Sequence, residues 1–353
     1  MNCYIKSNSA VDASVLWGFD VFNFSIEIVN TTFELNLGST SMIDLSDSTI
    51  NLENCFFVSN VNPTIYLTAT LLQISNVTFS NNSCDSLTLG CLISLNQYST
   101  LIIDNAIFFG MAMIKTQTGV LYSLNSTVQM QNVTFSNLAS LGVGTCLYCQ
   151  YTDLTVNDSE FSSFYPSCIY TYGGNLSLYD VGIGNSVIES SPLIVEDVEN
   201  LWIESSQFYN NSGAANGGAL FLEKILDSLV SEAILLSNSF YNNSAESYGG
   251  AIYTSNQYVE ISNTSFKENK AYSGGAIFFD TASNSTGGLI LDQVTFTSNN
   301  AFLEGGAIKS TTMLPTFKSS ILTFNNTALY GNDYGSYPIR IVFQVYDSQN
   351  ISC

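Results

Sequence analysis

The segment Ser273–Asp280, which reads Ser-Gly-Gly-Ala-Ile-Phe-Phe-Asp, decides the fold, because its glycine pair followed by alanine and an aliphatic residue recurs along the C-terminal half. A phenylalanine stands eight or nine residues before each glycine pair, and an asparagine follows that phenylalanine by three positions. The four glycine pairs are Gly217/Gly218, Gly249/Gly250, Gly274/Gly275 and Gly305/Gly306. Their phenylalanine and asparagine partners are Phe208/Asn211, Phe240/Asn243, Phe266/Asn269 and Phe296/Asn299. These segments are copies of one repeating unit.

The phenylalanine also recurs upstream of these copies, at the end of short segments in which apolar and polar residues alternate. This pattern predicts twelve anchor positions with a mean spacing of about 26 residues, one of them an isoleucine. The anchors are Phe33, Phe57, Phe79, Phe108, Phe135, Phe161, Ile183, Phe208, Phe240, Phe266, Phe296 and Phe324. A period of two residues indicates strands, and three short strands with three turns fit into each unit. The sequence therefore predicts an all-β, right-handed parallel β-helix of the pectin-lyase type, with about 12 three-strand coils.

Equivalent residues of successive coils are expected to stack in ladders, because neighbouring coils of a β-helix lie one strand spacing, ~4.8 Å, apart. Asparagine suits a coil corner, since it tolerates a left-handed backbone and its amide can bond to the next asparagine. Paired glycines permit a sharp bend and a close approach of two backbones.

The interruptions of the repeat suggest three parts of the chain. Residues 1–28 are predicted to form an N-terminal cap or the first coils, and residues 29–330 the β-helix repeats. Residues 331–353 are predicted to hold a C-terminal cap strand and the start of a following module. An insertion at 223–233 lengthens one repeat, and it is either a binding loop or a neutral length variation.

The Gly-Gly-Ala-Ile and Phe-x-x-Asn motifs resemble the repeats of chlamydial polymorphic outer-membrane proteins, and still more the large β-helix surface proteins of ciliates and other protists. The resemblance implies a cell-surface location, and the chlamydial group implies adhesion through the motif residues themselves. In the first half of the chain, however, the glycine motif becomes Gly-Cys-Leu-Ile at Gly90–Ile93. A structural role of the motif in every coil is therefore the simpler interpretation.

The net charge is −21, with no histidine and eight lysine and arginine residues together. This charge repels phosphate backbones and anionic lipids, so nucleic-acid binding is not expected. No apolar run is long enough to predict a membrane span, so this segment is not expected to insert into a membrane. No cofactor is predicted. Weak calcium binding at acidic turns remains an option, although no EF-hand or nonapeptide calcium motif is present.

Asn-x-Ser/Thr sequons suggest that the chain carries N-linked glycans. The fourteen sequon asparagines are Asn23, Asn30, Asn76, Asn81, Asn125, Asn132, Asn157, Asn175, Asn210, Asn242, Asn263, Asn284, Asn325 and Asn350. Together with eight cysteines, they favour an oxidising compartment. We therefore expect an extracellular or cell-surface location, reached through the secretory pathway as part of a longer chain.

Two disulfides are predicted. Aligning the glycine motifs places Cys146 and Cys168 at the same position of consecutive coils, where a ladder spacing of ~4.8 Å suits a disulfide. Cys149 competes for either partner. Cys84 and Cys91 flank a short turn and are expected to close a local loop.

The function predicted from these features is structural: a rigid β-helix rod of a cell-surface coat or filament. Its partners would be other copies of itself or other surface glycoproteins. One alternative is an adhesin that binds host or surface glycans, and a second is a polysaccharide-active β-helix enzyme.

Neither a catalytic nor a metal site is predicted. The enzyme alternative would need two positioned carboxylates, and the candidates are the pair Asp44/Asp47 and the run Glu196–Glu199 with Glu204. Such runs are more often solvated turns. A row of tyrosines is also expected to face outward, because a lysine shares its coil position. The members of this row are Tyr122, Tyr148, Tyr170, Tyr253 and Lys309.

Overall fold

The structure is a computed structural model that describes residues 3–6, 9–10, 13–18, 24–38, 41–62, 64–84, 90–113, 119–225, 232–282 and 287–336. These residues form 38 strands and no helix, and the register-matched pairs of strands are all parallel. The described residues make about eleven turns of this solenoid. The predicted all-β parallel β-helix is confirmed.

The first third of the chain contains β1 Cys3–Lys6, β2 Ser9–Ala10, β3 Ala13–Gly18, β4 Phe24–Val29, β5 Thr31–Glu34, β6 Leu37–Gly38, β7 Ser41–Ser46, β8 Ser48–Glu53, β9 Phe56–Val58, β10 Ile65–Thr68, β11 Leu71–Ser80, β12 Ser83–Cys84 and β13 Ile93–Asn96. The middle contains β14 Thr100–Met113, β15 Leu121–Leu124, β16 Thr127–Ala139, β17 Leu147–Tyr165, β18 Ile169–Gly184 and β19 Leu193–Glu196.

The C-terminal part contains β20 Asn200–Glu204, β21 Gln207–Tyr209, β22 Ala214–Asn216, β23 Leu220–Glu223, β24 Glu232–Leu236, β25 Ser239–Tyr241, β26 Ala245–Tyr248, β27 Ile252–Ser255, β28 Tyr258–Ser262, β29 Ser265–Lys267, β30 Lys270–Ser273, β31 Ile277–Asp280, β32 Gly288–Asp292, β33 Thr295–Thr297, β34 Asn300–Glu304, β35 Ile308–Ser310, β36 Thr316–Phe317, β37 Leu322–Phe324 and β38 Tyr334–Ser336.

Each complete coil contributes to three parallel sheets, and the C-terminal coils add a fourth stack of short parallel strands, β22, β26, β30 and β34. The first sheet holds the alternating apolar strands, such as β20, β24 and β28. The second holds the strands around the anchor phenylalanine, such as β21, β25 and β29. The third holds the strands that follow the glycine motif, such as β23, β27 and β31. In each sheet every second side chain points inward, so the three sheets enclose one continuous core.

The anchor residues form a ladder along this core. Neighbouring phenylalanine rings stack with centroids 4.4 to 5.0 Å apart on either side of Ile183. Ile183 stands in register between Phe161 and Phe208. Stacked rings at one strand spacing bury large apolar surfaces, which stabilises each coil through its neighbours.

The last predicted anchor, Phe324, is wrong. Thr323 pairs with Phe296 instead, and the Phe324 side chain is 71% exposed. The asparagine corner explains the register, because Asn326 accepts hydrogen bonds from Asn299 and stands three positions after Thr323. The corner hydrogen bonds therefore override the preference for a buried aromatic ring.

The predicted domain boundaries stay predictions. β1, β3 and β4 already pair in parallel with β5, β7 and β8, whereas residues 337–353 lie outside the described residues. The predicted insertion lies between β23 and β24, and its residues 226–231 are also outside them.

Candidate functional site

The asparagine of the repeat motif closes the corner after the second sheet. The Asn243 side-chain nitrogen donates to the Phe208 carbonyl at 2.9 Å and to Asn269 Oδ1 at 3.1 Å. The backbone N–H of Asn243 also donates to Asn269 Oδ1, at 3.0 Å. The buried side chain thus satisfies its own polar atoms and two backbone groups, which a solvent-free corner requires.

This ladder extends beyond the four asparagines predicted from the motif. It has two runs, Asn36–Asn60–Asn82 and Asn211–Asn243–Asn269–Asn299–Asn326. The signal for the first run is present in the sequence, because each of these asparagines also follows an anchor phenylalanine by three positions.

The first glycine of each motif pair makes the expected sharp bend by itself. Gly217, Gly249, Gly274 and Gly305 have φ angles of 62°, 65°, 67° and 67°, which a side chain would strain. The second glycines do not share this left-handed backbone. The first glycine therefore supplies the expected bend, and the expected close approach of two backbones falls to the second glycine.

The second glycine of each pair allows two coils to approach closely. A Cβ on Gly218 would lie 2.1 Å from the Gly250 carbonyl oxygen of the next coil, and a Cβ on Gly250 would lie 2.1 Å from that of Gly275. A Cβ on Gly306 would likewise lie 2.1 Å from the Asn332 carbonyl oxygen. At these distances from backbone atoms only glycine fits, so the second position is fixed by the stacking of coils.

The structure also corrects the adhesive role that the chlamydial resemblance implies for the motif residues. All glycines of the predicted motif are buried, including Gly218 in the first pair and Gly306 in the last pair. The phenylalanines and asparagines of the motif are equally buried. A contact between these residues and a binding partner is therefore blocked in the folded rod.

Most of the described sequons stand at exposed turns. Nine asparagines have left-handed backbones and exposed side chains: Asn30, Asn76, Asn81, Asn125, Asn132, Asn210, Asn242, Asn263 and Asn325. Asn157 and Asn175 are instead half-buried. Asn23, Asn284 and Asn350 lie outside the described residues. A glycan on any of the nine would project from a coil corner into solvent.

Cys84 and Cys91 form a disulfide with an S–S distance of 2.02 Å. Cys146 and Cys168 occupy the same position of consecutive coils, and the Cys146 N–H donates to the Cys168 carbonyl at 2.9 Å. Their predicted disulfide is not present, since both are free thiols with their Sγ atoms 3.4 Å apart. Burial raises the pKa of the Cys168 thiol, which keeps it protonated and able to donate to Cys146.

The predicted tyrosine row exists but is partly covered. Tyr148 stacks on Tyr122 and on Tyr170, with ring centroids 5.8 and 4.7 Å away. Tyr122 is only 5% exposed. Lys309 does not reach solvent as expected, because its buried ammonium forms an ion pair with Glu304 at 2.8 Å.

The carboxylates suggested for an enzyme are spread over different strands, with Asp44 in β7, Glu196 in β19 and Glu204 in β20. Glu196 ends β19 in the third sheet and accepts a hydrogen bond from Tyr170 at 2.8 Å. Glu204 ends β20 in the first sheet and accepts one from Trp202 at 3.0 Å. Asp47 lies at a turn between β7 and β8.

A different group of carboxylates lines a groove of about 490 Å³ across the second sheet. We name it the Glu160 groove. Its rim includes Asp158, Glu160, Asp180, Gln207 and Tyr209. Asp158 and Asp180 face each other in consecutive coils, at the turn position where other coils carry sequon asparagines such as Asn132.

Two glycines open this groove. Gly182 and Gly184 flank Ile183 on the outer face, so one coil presents no side chain there. The Glu160 carboxylate lies over Gly182 and the Tyr209 ring over Gly184. The Tyr209 hydroxyl donates to Glu160 across the intervening coil. Burial and this hydrogen bond raise the pKa of Tyr209 to about 12.

The groove can accept hydrogen bonds from hydroxyl-bearing or cationic groups, because its charged side chains are carboxylates. Within the described residues, no three carboxylates, cysteines or histidines are grouped so that they could hold a metal ion. The same part of the chain contains no helix that could cross a membrane. Sequence analysis missed the groove, although the pair Gly182 and Gly184 around the non-aromatic anchor was a visible signal.

Comparison with known proteins adds a family model and a solved structure. The Chlamydia polymorphic membrane protein repeat matches residues 239–255 and 263–280. The resemblance to these chlamydial repeats is thus confirmed in two adjacent coils. The resemblance to ciliate surface proteins stays a prediction. No curated protein matches the chain. PfbA, a surface adhesin of Streptococcus pneumoniae, is similar with a TM-score of 0.40 and 10% identity, over 88% of this chain and 85% of that chain.

Proposed function

We propose that this chain is a rod-forming part of a cell-surface glycoprotein, and that its role is structural. One observation carries the proposal: the repeated residues lie inside the rod, where they build phenylalanine and asparagine ladders. When the recurring positions of a repeat all pack inside the core, the repeats form a rigid rod, because each coil is stabilised by its contacts with the neighbouring coils.

The exposed surface supports an extracellular place for this rod. Charged residues make up only 10% of the chain, so hydroxyl and amide side chains face much of the solvent. Nine sequon asparagines stand at exposed corners. The matched repeat belongs to a family of membrane proteins by its description, which agrees with a cell-surface location. The rod would associate with other copies of itself or with other surface glycoproteins.

The proposal is tested by peptide mass spectrometry of protein taken from its native source, with and without enzymatic removal of glycans. We expect sugar at most of the nine turn sequons and less at the half-buried Asn157 and Asn175. Small-angle X-ray scattering of the deglycosylated chain should show a rod about 50 Å long, at one strand spacing per coil. Unmodified asparagines at all nine corners would contradict the glycoprotein proposal, and a spherical particle would contradict the rod.

The Glu160 groove is the place to test the enzyme alternative. Asp158 and Asp180 have Cα atoms about 4.8 Å apart across consecutive coils, which brings two carboxylates near each other. We expect no release of reducing ends when the protein is incubated with plant, bacterial or host polysaccharides. Release that disappears in Asp180→Asn, and persists in the matched change of another exposed aspartate, Asp104→Asn, would replace the structural proposal with an enzymatic one.

A further inference from the structure

Two tyrosines protrude from the corner between the third and first sheets. Tyr98 is 86% exposed with a φ of 63°, and Tyr151 is 54% exposed with a φ of 48°. A left-handed backbone is unusual for a bulky aromatic residue and costs roughly 1 to 3 kcal/mol at each such position. Other coils have the same left-handed corner with smaller side chains, such as Ala69 and Asn125, so the two aromatic rings are what distinguishes this position.

A single extra residue makes Tyr98 stand out. Three residues lie between Asn96 and Thr100. In the coil before and in the coil after, only two residues lie between the positions that pair with Asn96 and Thr100. The Tyr98 N–H still donates to the Asn125 carbonyl at 2.7 Å, so the corner stays stacked on the next coil. The insertion therefore displaces the ring outward without breaking the β-helix.

The Tyr151 ring is held in place by its neighbours. It meets Tyr172 edge to face, with ring centroids 5.4 Å apart. It also lies over Gly173, where a Cβ would come within 2.7 Å of the Tyr151 ring. These contacts fix the orientation of the exposed ring before any ligand arrives.

A groove of about 320 Å³ lies between the two tyrosines. We name it the Tyr98–Tyr151 groove. The side chains between its aromatic ends include Thr100, Asn125 and Thr127, which carry hydroxyl and amide groups, and Asp153 is its one carboxylate. None of the lining residues is basic. This combination offers ring faces, donors and acceptors, and it disfavours an anionic ligand.

We propose that the Tyr98–Tyr151 groove binds an uncharged pyranose oligosaccharide. Pyranose rings have apolar faces that pack on aromatic rings, and their hydroxyls bond to amide and hydroxyl side chains. Asn125 lies one coil from each tyrosine, so the tyrosines are two strand spacings, about 9.6 Å, apart. This spacing is close to the length of a disaccharide. The proposal is independent of the rod function, because it concerns an outer corner and not the ladders.

The same sugar chemistry has two sources. An oligosaccharide of another molecule can enter the groove, or the chain's own glycan on Asn125 can fold into it. Asn125 begins the sequon Asn125-Ser126-Thr127 and has an exposed side chain with a left-handed backbone, between the two tyrosines. The experiment must separate these two sources.

The first arm uses the full chain made without glycans in bacteria. Saturation-transfer NMR with cello-, chito- and manno-oligosaccharides should detect binding of at least one series, and oligouronates should not bind. Tyr98→Ala and Tyr151→Ala should each weaken this binding at least tenfold. Tyr272→Ala is the matched control, because Tyr272 is 44% exposed but lies on the distant β30, and it should bind normally.

The second arm uses protein from a glycosylating host, before and after enzymatic removal of its glycans. If only the deglycosylated protein binds oligosaccharide, the groove holds the chain's own glycan. If both bind, the ligand comes from another molecule. Nitration of Tyr98 and Tyr151 should be slowed by whichever sugar fills the groove. The proposal is overturned if no uncharged oligosaccharide binds the bare chain and if the Asn125 glycan leaves the nitration of both tyrosines unchanged.

Discussion

The middle coils, residues 100–184, and the C-terminal coils, residues 200–310, share one core but close their corners differently. In the middle coils the strands run on for 13 to 19 residues, as in β14, β16 and β17. In the C-terminal coils they are split into pieces of three to five residues, such as β20 and β21. The same ladder of anchors runs through both regions. The core therefore does not set the length of a strand.

The residue three positions after the anchor accounts for one of these breaks, the one between β21 and β22. It is a buried apolar residue in the middle coils, namely Met111, Leu138 and Phe164 in register. It is a hydrogen-bonded asparagine in the C-terminal coils, as at Asn243. An apolar side chain lets the strand continue, whereas an amide that bonds to neighbouring coils ends it in a turn. The comparison teaches that one register position can hold the same solenoid together by packing or by hydrogen bonds.

The largest expected effect comes from Gly250→Ala. Its new Cβ would meet the Gly275 carbonyl oxygen at 2.1 Å, and two backbones would have to separate. We expect a loss of about 3 kcal/mol or more in the free energy of unfolding. Thr145→Ala is the matched change in the middle coils, where a Cβ already fits, and it should cost only about 1 kcal/mol for lost hydrogen bonds. Urea denaturation followed by circular dichroism checks both, and equal losses would show that the corners are alike.

Asn243→Leu should have the next largest effect. It removes the side-chain donor to the buried Phe208 carbonyl and the acceptor for the Asn211 backbone N–H, and the Asn211 side-chain nitrogen keeps only its bond to the Ile183 carbonyl, at a cost of roughly 2 to 4 kcal/mol. Leu138→Met at the equivalent middle position should cost less than about 1.5 kcal/mol. The sequon at Asn242 survives, because its middle position accepts any residue except proline. Hydrogen exchange at the neighbouring coils would locate the loss, and unchanged exchange after Asn243→Leu would refute the hydrogen-bonded corner.

Ser186→Asn should extend the C-terminal ladder toward the middle coils. Asn211 begins the second run, and its Oδ1 accepts no hydrogen bond from the shorter Ser186 side chain. An asparagine there would donate to Asn211 Oδ1, with a gain of about 1 kcal/mol in stability. Ser186→Ala is the control and should lose stability, because Ser186 Oγ now accepts from the Phe164 N–H at 3.1 Å. If thermal melting shows Ser186→Ala to be more stable than Ser186→Asn, the proposed extension of the asparagine ladder is contradicted.

The smallest effect is a pH dependence at the end of the third-sheet strands. This row carries Gln150 and Tyr172 in the middle coils, and Glu196, Glu223 and Asp280 further on. Burial raises the pKa of the Glu223 carboxyl, and the nearby negative charges add to the effect. A raised folded-state pKa means that the contribution to stability is complete below the unfolded value and is lost as the pH rises through the folded pKa.

Wild-type protein should therefore lose more thermal stability than Glu223→Gln as the pH rises from about 4 to 7, a range that begins near the ordinary pKa of a glutamate. The variant removes the titration and should show a flatter dependence over this range. Gln150→Glu is the matched change in the middle coils and should introduce a new dependence of the same sign. Parallel curves of thermal stability against pH for wild type and Glu223→Gln would show that Glu223 does not cause the pH dependence.

The sequence was sufficient to predict the fold because the residues that repeat are those whose side chains point into the core. Alternation places Leu289 and Leu291 on one face, and the anchor spacing brings Phe240 beside Phe266. The candidate sites were harder to predict, since outward-facing residues follow no such pattern. Glu160 and Tyr209 meet across 49 residues of chain, and only the stacking of coils shows that two glycines lie between them.

The sequence by itself determined the repeating coil, three of its strands, its ladders and its turn residues, because these depend on local periodicity and on contacts between equivalent positions. The tertiary structure decided which cysteine thiols are in contact without forming a disulfide bond, that Lys309 is buried, and which aromatic rings reach solvent. Coils differ in length, so one additional residue before Thr100 changes which side chains meet on the outside. The strands of the core keep their register in spite of that residue, whereas the side chains on the outer surface are displaced by it.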